Sequence, residues 1–307
     1  MEAAYPAYYT KFRCIAGECG HSCCIGWEID IDEDTMALYR ETEGAMGERL
    51  HRCISAGETP SFILGEGERC PFLNERNLCD IILEKGEGFL CQICREHPRF
   101  HNVYPGRVES GLGLCCEAAG RLILGREEPA QLCITGEWEA EDELLALRDD
   151  VIAVLQLREL PLAVRAERAL ALCGAVLPGG TVGQWAQELL RLERLEESWT
   201  VVLEALAADE TEAVPEGTAY EQLMVYFIYR HLANARDEVD LAARSAFAVL
   251  GARIVYAADR FLRCGAEAYP VEAARQFSAE IEYSEENMET VLNLLAKPWP
   301  MGACPEE

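Results

Sequence analysis

Cys14-Ile-Ala-Gly-Glu-Cys19-Gly-His21-Ser-Cys23-Cys24 opens a stretch that runs on through Cys70-Pro-Phe-Leu-Asn74, Cys79-Asp-Ile81 and Cys91-Gln-Ile-Cys94-Arg95 and closes at Cys115-Cys116. Eleven of the 15 cysteines lie in this span, counting Cys53, and ten of them fall into three tight groups. A thiolate is a soft ligand that selects zinc, copper(I) or iron–sulfur clusters. The grouping therefore points to a metal centre built from separated segments by Cys14, Cys19, Cys23, Cys24, Cys70, Cys79, Cys91, Cys94, Cys115 and Cys116.

Structural zinc commonly uses paired Cys-x-x-Cys knuckles. Only Cys91-Gln-Ile-Cys94 has that form. The adjacent pairs Cys23-Cys24 and Cys115-Cys116 are easier to place around an iron–sulfur cluster, whose irons accept thiolates from separated segments. Iron–sulfur, zinc, and purely redox or structural thiols all stay open at this point. His21, inside the first group, suits a supporting hydrogen bond better than ligation. The Cys-xxx-Cys-xx-Cys pattern of radical iron–sulfur enzymes is absent, as are a P-loop and a Gly-x-Gly-x-x-Gly after a strand.

The 307 residues carry 54 acidic against 27 basic side chains, a formal charge of −27. That imbalance argues against nucleic acid or an anionic membrane as partner and favours a cationic group such as a lysine on another protein. The opening Met1-Glu-Ala-Ala-Tyr-Pro6 has neither the basic head nor the apolar run of a signal peptide. The most apolar windows, Met224 to Ile228 and Leu250 to Ala258, are short or interrupted by charge, so no membrane span is expected. A cytoplasmic, reducing location follows, where clustered cysteines serve metals or redox chemistry more often than disulfides.

The expected fold is mainly α, in two domains. Residues 1–130 form a cysteine-rich metal-binding domain with little β, and residues 131–307 an acidic α-helical domain. Ala3 to Phe12 are tyrosine-rich. Alternation from Glu28 to Asp34 predicts a short strand. Asp32 or Asp34 then caps a helix over 33–41. Residues 57–68 read as loop, and Asn74 to Asn77 as a turn that brings Cys70 and Cys79 together. Leu90 to Arg95 form a helical turn, ended by Pro98, with Cys91 and Cys94 on one face. Beyond Glu137, helices are predicted over 141–158, 161–175, 182–208, 218–235, 239–264, 271–283 and 285–297. Phe247, Leu250, Ile254, Ala257 and Phe261 form one stripe of the fifth, and Ser284 caps the last. Cys133, Cys173, Cys264 and Cys304 stand apart as small apolar residues.

The motifs Phe12-Arg-Cys14, Cys19 with Cys23-Cys24-Ile-Gly-Trp27, Cys70-Pro-Phe-Leu-Asn74, Leu78-Cys79-Asp-Ile81, Leu90-Cys91, Cys94-Arg-Glu-His-Pro-Arg99 and Cys115-Cys116-Glu117 resemble the flagellin lysine-N-methylase family. The likeness returns in Phe277-Ser-Ala-Glu-Ile-Glu-Tyr-Ser-Glu-Glu-Asn287. It implies methyl transfer from S-adenosylmethionine to surface lysines of flagellin, in an enzyme holding a [4Fe-4S] cluster. A lysine amine must first lose its proton, which desolvation near aromatic rings assists. Under this resemblance His97, Glu117 and Tyr9 are the candidate catalytic residues, His97 or Glu117 as proton acceptor. Tyr5, Tyr8, Tyr9 and Trp27 are candidates for an aromatic wall. Arg95, Arg99 and Trp27 are candidates for holding the cofactor, the two arginines gripping its carboxylate or else neutralising the thiolates. The competing reading is a zinc- or iron–sulfur-stabilised interaction or redox module without methyl transfer.

Overall fold

The computed structural model of the protein describes residues 2–136, 142–208, 214–262 and 270–299. The chain divides into two compact units, Arg13–Phe100 and Met1–Phe12 with His101–Glu307. The composition change near residue 130 thus lies inside the larger unit, and Cys115 and Cys116 are counted with the helices. Cys264 and Cys304 lie outside the described residues, as does the end of the helix expected over 239–264.

The smaller unit contains four short helices: α1 (Glu33–Arg40), α2 (Gly44–Cys53), α3 (Asp80–Lys85) and α4 (Gln92–Glu96). Their core is Ile29, Ile31, Tyr39, Leu50, Phe62, Phe72, Ile81 and Leu90, with Cys70 and Cys91 among them. The alternating segment before α1 is extended but makes only a bridge, Asp30 with Ser61, instead of a strand. Its partner segment is too brief for a ladder, although Ile29 and Ile31 are buried as the alternation requires. Asp32 is the cap of α1, accepting from the Thr35 N–H at 3.0 Å.

The larger unit carries a four-stranded sheet in the order β2-β3-β1-β4. Its strands are β1 (Glu2–Pro6), β2 (Arg99–Tyr104), β3 (Arg107–Leu112) and β4 (Leu132–Thr135). The tyrosine-rich lead-in therefore starts as a strand, parallel to β3 with Ala4 opposite Glu109 and antiparallel to β4. After α5 (Glu117–Leu124) come α6 (Glu143–Leu155), α7 (Leu162–Leu172), α8 (Val182–Leu189) and α9 (Glu197–Leu206). Then follow α10 (Thr218–His231), α11 (Glu238–Leu262), α12 (Val271–Phe277), a π turn over Ser278–Glu282 and α13 (Glu285–Leu295). Among the described residues the protein is mainly helical, with one small sheet.

Two predicted helices are broken. The 182–208 helix splits into α8 and α9, because the Glu280 carboxylate accepts from the backbone N–H of Leu195 at 2.9 Å and of Glu196 at 2.7 Å, capping a second start. The 271–283 helix widens into the π turn. Ser284 does cap α13, at 3.2 Å from the Asn287 N–H. In α11 the stripe Phe247, Leu250, Ile254 and Ala257 is buried, but Phe261 is 45 % exposed and lies beyond the covered part of the helix. Among the described residues α11 alone is long and apolar enough to cross a membrane, and 72 % of its most apolar window is buried against the rest of the protein.

Phe227, Phe247 and Phe277, from α10, α11 and α12, meet with ring centroids 5.3–5.8 Å apart. Gly251 leaves them room, since a Cβ there would fall 2.8 Å from Phe227. Under the sheet, Glu109 of β3 and Arg148 of α6 are fully buried and hydrogen-bonded to each other. Arg107 joins Glu109 at 2.7 Å. A buried carboxylate stripped of all its cations costs about 3–5 kcal/mol. Arg148→Met leaves Glu109 with Arg107 and is expected to lower the unfolding free energy by less than that, measured by urea denaturation. Adding Glu109→Gln recovers part of that loss, because the half-compensated charge is gone.

Candidate functional site

Backbone pairing gathers the cysteines of the smaller unit. The Cys70 N–H donates to the Cys24 carbonyl at 2.8 Å, and Ile25 bridges Arg69. The sequence between Cys70 and Cys79 folds back as predicted: Leu73 bridges Cys79, and the Asn74 side chain accepts from the N–H groups of Arg76 (2.9 Å) and Leu78 (3.1 Å). Asn77 closes the turn with a left-handed φ of 56°, a conformation that asparagine tolerates. Cys91 is the residue before α4, and Cys94 lies in that helix. The other oxygen of Asp32 accepts from the Gln92 N–H at 2.7 Å, so one carboxylate caps both α1 and α4.

The result is a set of thiols within electrostatic reach of one another. A hydrogen bond with Cys23, set against burial and aided by Ser22 and Arg69, lowers Cys24 to about 7. Burial pushes Cys70 up to about 12, with the charges of Cys24, Cys79 and Cys91 adding to it. Burial also raises Cys79. Cys91 is lowered by its hydrogen bond with Cys94, and Cys94 is raised in return, by that bond, by burial and by the other thiolates. Five thiols placed so that few can ionise together are a donor set that a soft cation would satisfy. Their side chains are not a finished cage: among the described residues no three His, Cys, Asp or Glu are grouped as metal-holding sites are. The donors fit a thiophilic metal in kind, and the spacing does not select iron over zinc.

The other predicted residues are more scattered. Cys14 is exposed, with its sulfur accepting from the Ala16 N–H at 3.3 Å, and the Cys19 thiol donates to the His21 carbonyl at 2.6 Å. His97 has its Nε2 buried without a hydrogen-bond partner, and burial lowers its pKa to about 4. It is therefore a neutral imidazole at physiological pH and a weak proton acceptor. Arg95 is exposed, and Arg99 donates to the Arg95 carbonyl at 3.3 Å. Trp27 is half-buried in the same unit. In the larger unit, Glu117 begins α5 and accepts from Arg121 at 2.6 Å. Tyr9 stacks on Tyr5 with ring centroids 5.5 Å apart, and Tyr8 is buried. Cys116 is the residue before α5, while burial pushes Cys115 to about 12 against its hydrogen bond with Tyr283.

The sequence reading passed over a buried polar network in the larger unit. The Tyr226 hydroxyl contacts both oxygens of Glu282, at 3.2 and 3.1 Å, and accepts from Arg230 at 2.6 Å and from the Leu114 N–H at 3.3 Å. His231 lies 2.6 Å from Glu282 through Nε2. Against the upward push of burial, the Arg230 charge and the His231 hydrogen bond hold Glu282 below the ordinary carboxylate range. Burial in turn lowers His231. Phenol, carboxylate and imidazole in contact can carry a proton between them. Two signals were available: polar Tyr226 and Arg230 at a spacing of four inside an apolar run, and the Phe277 to Asn287 motif, whose π turn holds Glu282. π turns recur at functional sites.

Comparison with known proteins adds three relatives, all from Salmonella. The flagellar biosynthetic protein FliU of Salmonella muenchen is 29 % identical over 126 residues, covering 38 % of this chain and 75 % of its own length. A lysine-N-methylase of Salmonella typhimurium strain LT2 is 28 % identical over 128 residues. A second lysine-N-methylase, of Salmonella choleraesuis, is 29 % identical over 126. Both matches cover 38 % of this chain but span only 31 % of those proteins. No family model and no solved structure matches.

Two outcomes follow from the geometry. Asp32→Ala removes two caps at once and is expected to cost about 1–4 kcal/mol in chemical denaturation, with faster alkylation of Cys91 and Cys94. The His97 imidazole is expected to titrate near pH 4 in histidine NMR spectra. A depressed pKa means that the unfolded chain binds the proton first. Stability is therefore full above about pH 6.5 and falls toward pH 4, a fall that His97→Gln flattens.

Proposed function

We propose, from the chain's kinship with the flagellin lysine-N-methylase family that its cysteine motifs resemble, that this protein methylates lysine side chains of a flagellar protein, flagellin first among them. The observation that carries the reading is the similarity to two proteins named lysine-N-methylase, and FliU supplies the flagellar context. The chemistry belongs in the cytoplasm, where unassembled flagellin is within reach.

S-adenosylmethionine supplies the methyl group as an electrophilic carbon on a sulfonium. The amine lone pair forms the new N–C bond, the C–S bond breaks with its electrons passing to sulfur, and a proton leaves the nitrogen. The protein must bind the donor, strip water from the lysine and receive that proton. Four of Cys24, Cys70, Cys79, Cys91 and Cys94 are assigned to hold a metal centre, a [4Fe-4S] cluster with zinc as the alternative, which would supply the soft cation that lets several thiolates coexist. Arg95, Arg99 and Trp27 are assigned to the donor. No side chain is assigned to the proton: burial lowers His97 and His231, and against burial the Arg230 charge holds Glu282 below the ordinary carboxylate range. The net charge of −27 favours a lysine-bearing partner.

A second reading has a specific observation behind it. FliU, matched over three quarters of its length, carries no enzymatic activity in its name. An assembly module stabilised by thiol-bound metal, without methyl transfer, accounts for that relative equally well.

Anaerobically purified protein incubated with S-adenosylmethionine and flagellin, followed by peptide mass spectrometry, separates the two. Methylated lysines are the expected result; unmodified flagellin with a zinc-loaded protein leaves the assembly module. Cys94→Ala is expected to lower bound metal and Cys173→Ala to leave it unchanged. Equal loss in both overturns the metal assignment.

A further inference from the structure

The larger unit contains a cavity of about 210 Å³. An apolar cavity of ~150 Å³ is enough to take up benzene, and pockets for drug-sized ligands start near ~300 Å³. The space therefore suits a molecule a few atoms larger than benzene and is too small for an intact nucleoside donor. Rings and aliphatic groups make up most of its wall: Tyr226, Tyr229 and Val225 come from α10, Ile123 from α5 and Ile152 from α6. Asp149 is its one charged lining residue, and that side chain is half exposed and already paired with Arg148 at 2.7 Å.

Two polar side chains of the wall are deeply buried and incompletely bonded. Gln222 of α10 is 2 % exposed. Its Nε2 donates to the Glu128 carbonyl at 2.8 Å, which fixes the orientation of the amide, and among the described residues no donor meets its Oε1. Tyr8, just after β1, is 5 % exposed, and among the described residues its hydroxyl makes no hydrogen bond. The other two phenols are committed, since Tyr229 donates to the Ser110 carbonyl at 3.0 Å and Tyr226 belongs to the Glu282 network. Roughly nine in ten buried polar groups of folded proteins have a partner. Here an amide oxygen that can only accept and a hydroxyl that can donate line one apolar space.

We infer that this cavity is a binding site for a small, neutral aromatic molecule bearing a hydroxyl, of which phenol is the simplest. A hydroxyl is at once a donor and an acceptor. It donates to Gln222 Oε1 and accepts from the Tyr8 hydroxyl, while its ring packs among the tyrosine rings, as aromatic pairs favour. Neutrality follows from the wall. A charge carried inside would lie against rings, aliphatic groups and an amide, and its desolvation would go uncompensated. The inference goes beyond methyl transfer and does not rest on it. Tyr226 is shared by the wall and the Glu282 network, so an occupant bears directly on that network.

The test is isothermal calorimetry of the full-length protein with phenol and with toluene, which has nearly the same shape and no donor. Phenol is expected to bind, and to raise the melting temperature with its concentration as a ligand of the folded state does. Gln222→Met is expected to lower the ratio of phenol to toluene affinity about tenfold, because the ligand's buried donor is left unpaired. The ratio cancels any general loosening of the cavity. Should that variant fail to fold, Tyr8→Phe is expected to lower the same ratio. Ile152→Phe or, failing that, Val225→Phe fills the space and is expected to abolish binding of both compounds. At pH 7 benzylammonium is expected to bind more weakly than benzyl alcohol.

Four results overturn the proposal. They are no binding of phenol, an unchanged ratio in the wall variants, binding that survives the filling variant, and tighter binding of benzylammonium than of benzyl alcohol. The last would make Asp149 the recognition group and the ligand a cation.

Discussion

A carboxylate withdrawn from water must be answered by charge or hydrogen bonds where it lies, and Glu282 sets that demand at the centre of the larger unit. Its answer draws on α10 three times, through Tyr226, Arg230 and His231. Arg230 also stacks on the Tyr283 ring, 4.8 Å from its centre, and Tyr226 holds the backbone of Leu114. The segment leading to Cys115 is thereby tied to the C-terminal motif. Gly113 is part of the same arrangement, since a Cβ there would fall 2.0 Å from the Tyr283 hydroxyl. Glu280, two residues earlier in the π turn, faces elsewhere and opens α9.

Local chemistry was legible in the sequence wherever neighbours in the chain decided it. The cap at Asp32, the Asn74 to Asn77 turn, the cap at Ser284 and most helices of the larger unit follow from short-range rules, and the structure shows them. What escaped were features set by residues far apart. The break between α8 and α9 depends on Glu280, some 85 positions away, and no pattern near Leu195 announces it. The strand at Glu2 to Pro6 exists because β3 and β4 lie on either side of it. Tyr226, Arg230 and His231 were submerged in a run of apolar neighbours, and periodicity counts hydrophobic faces without asking what a buried arginine must touch.

The cysteines show the same limit from another side. Spacing revealed that they belong together as a chemical class, and pairing of Cys24 with Cys70 and of Leu73 with Cys79 accounts for how three segments meet. Sequence proximity did not reveal that Cys115 and Cys116 are counted with the helical unit. Nor did it reveal that Cys24 is disposed to ionise, because its lowered pKa comes from Cys23, Ser22 and Arg69 acting together. The helical unit handles its own buried charges with arginine: Arg158 and Arg165 share Glu221, and Arg275 spans Glu196 and Glu272.

The double cap made by Asp32 links two helices that are sixty residues apart in sequence. Neither α1 nor α4 can fray at its start without loosening the carboxylate that secures the other. Local opening of this unit is therefore a cooperative event instead of two independent ones. Amide protons at the beginnings of the two helices should exchange with solvent on a shared clock, and Cys91 and Cys94 are shielded for as long as that clock runs slowly.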